Sequence, residues 1–108
     1  VGNALMEYAY QIARWHHERW DGKGYPDGLK GDEIPIAAQV VSVADVYDAL
    51  TSVRVYKDAI PHKEAIQMIL DGKCGEFNPL LLDCLLEVQD RIAETLARPA
   101  DVVAFPTI

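Results

Sequence analysis

PIAAQVVSVADVYDALTS, residues 35–52, decides the fold class. Its inner run VVSVADV has the β-branched density of a strand. Its length, and the alanines at 37, 38, 44 and 49, favour a buried helix instead, because strands usually end within about 4–8 residues. Pro35 suits the first turn of such a helix, where its missing N–H costs nothing. With this segment helical, the chain reads as all-α, a bundle of about four helices, antiparallel where connections are short.

Upstream, residues 3–20 predict a first helix with Asn3 as its N-cap. Leu5, Ala9, Ile12 and His16 fall on one face of a 3.6-residue period, which puts His16 at the end of an inward stripe. Residues 21–33, DGKGYPDGLKGDE, cannot continue that helix, because glycines and Pro26 punctuate them too densely. Pro26-Asp27-Gly28 is a turn signal, and an ordered loop of this length tends to be functional. Downstream, residues 53–61 connect, and 62–71 predict a short helix closed by Gly72. Asn78-Pro79 opens a long helix over 79–97, with Leu81, Leu85, Val88, Ile92 and Leu96 facing inward. Residues 98–108 read as a tail or junction after a single domain over 1–97.

The totals describe an ordinary soluble chain of 108 residues, half apolar and a quarter charged. Its net charge of −7 argues against a nucleic-acid polymer as partner, which needs a basic face. Cys74 and Cys84 form no dense pattern, so a reducing, cytoplasmic setting is expected. No apolar run is long enough to cross a bilayer and no basic-then-apolar leader is present. The chain opens at Val1, inside or just before a helix, and is expected to be a piece of something longer.

The chemistry-bearing residues cluster around the loop. His16 and His17 are vicinal, and successive helical residues diverge by about 100°. They could grip metal where the helix frays, since imidazole suits zinc, iron, manganese and nickel, or be one core and one surface histidine. Asp45 lies among apolar neighbours in VVSVADVYDAL; a buried carboxylate needs a cation, a metal or hydrogen-bond donors to offset its lost hydration. Asp48 lies one turn on. Two imidazoles and a carboxylate are the right ligand types for a hydrolytic metal. Arg54 and Lys57 suit phosphate oxygens, or are solvated surface cations. His62 reads as an exposed first-turn residue, and Trp15 and Trp20 as packing residues.

HHERWDGKGYPDGLKGDEIP, followed by VADVYDALTS and RVYK, closely resembles the HD-GYP family, over about residues 5–88. The resemblance implies a helical HD-domain-like fold with an ordered Gly24-Tyr25-Pro26 loop. It implies a metal-dependent phosphohydrolase acting on cyclic di-GMP or a related cyclic dinucleotide in bacterial signalling, with iron or manganese as cofactor. By motif, His16, His17 and Asp45 resemble metal ligands, and Arg54 and Lys57 resemble phosphate-gripping positions. Tyr25 belongs to the naming motif, linked to the substrate side and to contacts with diguanylate cyclase domains.

The family's second signature, a His-Asp pair, does not occur in these 108 residues. The resemblance therefore covers the C-terminal portion of such a domain. A cluster short of ligands is expected to hold metal weakly or not at all, and the chain alone to be inactive; the alternative is a non-catalytic interaction module. Gln39, Val55 and Asn78 depart from the arginine, proline and aspartate of the family pattern. Uncovered helix faces lead us to expect self-association.

Overall fold

A computed structural model describes residues 2–53, 55 and 57–97. It contains four helices: α1 (Gly2–Trp15), α2 (Ile36–Thr51), α3 (His62–Leu70) and α4 (Pro79–Ala97). Gly31–Glu33 adds a single 3-10 turn, and no strand occurs among the described residues. The all-α expectation is borne out, and VVSVADV lies wholly within α2. Pro35 sits one residue further out than expected, at the N-cap. Residues 98–108, the expected tail, lie outside the described residues.

The helix ends follow local chemistry. Asn78 caps α4 as expected: its Oδ1 accepts the Leu80 N–H at 3.0 Å. Gly72, at φ +77°, ends α3 in the left-handed region that glycine enters without a Cβ penalty. The C-terminus of α2 is closed by a side chain from the following loop. Lys57 Nζ donates to the carbonyls of Leu50 (3.1 Å), Ser52 (3.1 Å) and Asp58 (2.9 Å), so the cation meets the carbonyl end of the helix.

The largest departure from expectation is α1, which stops at Trp15 instead of running to residue 20. Carbonyls just beyond its end are taken up by side chains. Ser42 Oγ of α2 donates to the His16 carbonyl, and Arg19 Nη1 donates to the Glu18 carbonyl at 3.1 Å. The chain therefore leaves helical geometry at the histidine pair itself.

The core lies among α2, α3 and α4. Val43, Ile66, Ile69, Phe77 and Leu85 are buried together, with Val46, Leu50, Leu81 and Leu82 packed around them. Burying a side chain such as Ile69 contributes about 1.5–3 kcal/mol. α1 lies against α2 outside this cluster. Its expected inward stripe fails at the start: Leu5 is 69% exposed and Ala9 is exposed. On α4, Leu81, Leu85 and Ile92 face the core as expected, Val88 is exposed, and the Leu96 side chain is not among those described.

Candidate functional site

His16 and His17 sit in the turn after α1, their ring centroids 3.9 Å apart. Their environments differ. The Ile12 carbonyl accepts both the backbone N–H of His16, at 3.1 Å, and its Nδ1, at 2.6 Å. A carbonyl can only accept, so Nδ1 carries a proton, and in the neutral ring the lone pair then lies on Nε2. Metal-ligating histidines are oriented in this way. His17 is exposed and stacks on Tyr25, with centroids 4.9 Å apart and planes 18° off parallel.

The loop folds back onto the pair. Tyr25 N–H donates to the His17 carbonyl at 3.3 Å. Glu18 is 2% exposed, and its carboxylate accepts the backbone N–H groups of Asp27 (2.6 Å) and Leu29 (2.7 Å). Asp27 is held from α1: Trp15 Nε1 donates to it at 2.7 Å, and Arg14 makes a bidentate pair with two 3.0 Å bonds. Trp15 is thus more than a packing residue. Sequence reasoning missed Glu18, whose role depends on amides nine and eleven positions on.

The indole hydrogen bond, with the Arg14 guanidinium beside it, holds the Asp27 carboxyl below the ordinary carboxylate range. A depressed folded-state pKa contributes stability above the unfolded-state value, near 3.9, and loses it as pH falls through the folded value. The loop is therefore expected to detach on acidification below about pH 3.9. Trp15 fluorescence should report that step, and Asp27→Asn should abolish it. A fluorescence step unchanged in the variant would count against this anchor.

Asp45 departs from the reading that placed it in an apolar interior. It is exposed and has no hydrogen-bond or ion-pair partner among the described residues. The helix is apolar around it, but no element among the described residues buries it. Asp45 lies one turn beyond Ser42, whose hydroxyl reaches the His16 carbonyl, so α2 carries the carboxylate on the flank near the pair. Asp48 accepts from Ser52 Oγ at 3.1 Å. Among the described residues no group of three or more His, Cys, Asp or Glu side chains converges to hold a metal. The donor set fits a divalent metal in part: two adjacent imidazoles, one of them anchored through Nδ1, and an exposed carboxylate on α2.

Of the expected phosphate-binding cations, Arg54 lies outside the described residues and Lys57 caps α2. His62, expected to be exposed, is partly buried: its Nδ1 meets Tyr47 OH at 2.7 Å, and its Nε2 is buried without a partner among the described residues. Burial pushes the Tyr47 phenol up, so it stays protonated and can donate to that ring. Among the departures from the family pattern, Val55 is exposed, whereas Gln39 and Asn78 bond to each other at 3.0 Å.

An all-helical domain with a histidine pair at a helix end and a glycine-rich loop folded onto it defines the class. The chain belongs to the HD domain family, whose model matches residues 3–79. It is 46% identical over 98 residues to a probable cyclic di-GMP phosphodiesterase of Vibrio cholerae, covering 91% of this chain and 22% of that protein. It is 41% identical over 99 residues to a cyclic di-GMP phosphodiesterase of Thermotoga maritima, covering 90% of this chain and 26% of that protein. A 3'3'-cGAMP-specific phosphodiesterase of Vibrio cholerae is 44% identical over 86 residues, covering 80% of this chain and 16% of that protein. The chain thus spans between 16% and 26% of the length of these relatives. The resemblance to HD-GYP phosphodiesterases is borne out. No described helix is long and apolar enough to cross a membrane.

Proposed function

We propose that this chain forms the histidine-pair and loop portion of a cytoplasmic, metal-dependent phosphodiesterase that hydrolyses cyclic di-GMP or a related cyclic dinucleotide. The observation that carries this reading is the similarity to cyclic dinucleotide phosphodiesterases across the segment that holds His16, His17 and their loop. His16, His17 and Asp45 would hold the metal, iron or manganese. Such a metal, when bound, lowers the pKa of a water and polarises a phosphoryl oxygen. The chain's own part is to anchor His16 through Nδ1, to shield one side of the pair with the loop, and to offer Arg54 and Lys57 to phosphate oxygens. Lys57 would have to exchange backbone carbonyls for phosphate, while Tyr25 flanks the substrate side.

These 108 residues alone are expected to turn over no cyclic di-GMP, since the family's His-Asp pair does not occur in them. The test is cyclic di-GMP hydrolysis by the full-length gene product with added Mn²⁺ or Fe²⁺. His16→Ala and His17→Ala should each lower turnover by at least about 10–100-fold, the loss seen when even outer-shell partners of a metal are removed. A full-length product that binds no metal and hydrolyses nothing would sink the reading.

That result would favour the second reading, a non-catalytic module that docks a diguanylate cyclase domain or a second copy. One feature supports it: Leu5, Met6, Tyr8 and Tyr10 on α1 are each more than half exposed. Self-association is expected on either reading. Light scattering at rising concentration should report a mass above the 12.0 kDa of one chain, and a constant single-chain mass would refute it.

A further inference from the structure

We infer that Glu18 is a positioning residue for His17, acting through residues 24–29 and the Tyr25 ring. The inference rests on the metal-ligand reading of the histidine pair. A carboxylate only 2% exposed would be costly unless fully compensated. Here the compensation is specific, because each oxygen accepts one backbone N–H, from Asp27 and from Leu29. Both oxygens are therefore committed to the loop, which takes Glu18 out of the ligand set although it directly follows the two histidines.

The contacts close into a ring. Glu18 holds Asp27 and Leu29, and these fix the segment that carries Tyr25. Tyr25 returns to His17 twice, through its backbone N–H to the His17 carbonyl and through its ring on the imidazole. Both rings are exposed, with Tyr25 at 61%, so no core packing holds them face to face. The stack persists because the loop delivers the tyrosine to one place. A ligand ring must be held within about 10–20° to be useful, and an exposed imidazole does not achieve that alone.

The test uses the full chain with ¹³C-labelled histidine. In the native chain the Tyr25 ring current should move the His17 ring protons upfield. Tyr25→Leu should abolish that shift and leave the melting temperature unchanged. Glu18→Gln turns an NH₂ group toward one of two N–H donors. It should reduce the shift by at least about half without altering either stacked ring. Should Glu18→Gln fail to fold, Glu18→Asp, whose shorter carboxylate reaches one amide, should give an intermediate shift. A native shift retained in a folded Glu18→Gln or Glu18→Asp chain overturns the inference. Mn²⁺ alone, added to the native chain, tests the reading beneath it. Selective broadening of the His16 and His17 signals supports their role as ligands. Its absence removes that role, while the ring shifts still decide whether Glu18 positions His17.

Discussion

Gly24→Ala is expected to destabilise the chain by about 3 kcal/mol and to lower its melting temperature by roughly 10 °C or more. A Cβ at position 24 would lie under 3.0 Å from backbone atoms of His17, Glu18 and Arg19. These are backbone atoms, so no rotamer change can make room. The loop must lift away, and with it go the Tyr25-to-His17 bond and both amides that compensate the Glu18 carboxylate. A buried acceptor stripped of its donors costs about 1–3 kcal/mol by itself. Gly31→Ala is the control. A Cβ there meets nothing within 4 Å, and only the φ of +57° penalises it, by about 1 kcal/mol. The two variants should therefore separate clearly in urea unfolding. Amide exchange at Asp27 and Leu29 should accelerate in Gly24→Ala alone. Equal stability of the two variants would mean that the loop does not lie against residues 17–19.

Gly24 also shows where the sequence stops being readable. The glycine density predicted a loop, and Pro26-Asp27-Gly28 predicted a turn, both from local φ preferences. The reason for Gly24 is a close approach by residues five to seven positions earlier, which no local rule reports. Periodicity found the helices well where a core covers them: α2, α3 and α4 begin and end within a residue of expectation. It failed where nothing packs. Leu5 and Ala9 keep a helical stripe, yet α1 leaves them in solvent. Asp45 misled for the same reason, since apolar neighbours in sequence do not by themselves bury a residue. His16 and His17 were legible as a pair because their type and adjacency are unusual. The tautomer that suits His16 to a metal became visible only with the Ile12 carbonyl in place.

Gln39 and Asn78 are the second case of large expected effect, and they act together. Each departs from a charged residue of the family pattern, which invites the idea of a weakened active site. The structure gives them a shared scaffold role. Gln39 is 8% exposed; its Nε2 donates to the Ile34 carbonyl at 2.7 Å, and its Oε1 accepts Asn78 Nδ2 at 3.0 Å. Asn78 also caps α4 through Leu80. The two amides thus tie the exit of the loop to the start of α4, with no net charge buried. Gln39→Arg alone would bury a guanidinium against an Asn78 amide that also donates. Such an unpaired buried charge costs about 3–5 kcal/mol. Asn78→Asp alone keeps the cap, because aspartate caps as well as asparagine, but it loses the donor to Gln39 Oε1. Its expected cost is about 1 kcal/mol. In the double variant the two new charges face each other, and the coupling energy should recover about 1–3 kcal/mol. A double-mutant cycle by urea unfolding measures this directly. Additivity within about 0.5 kcal/mol would show that the side chains do not act as a pair. Strong coupling would mean that the two departures exchange an ion pair for an amide pair in the scaffold, at a place separate from the histidine side of the loop.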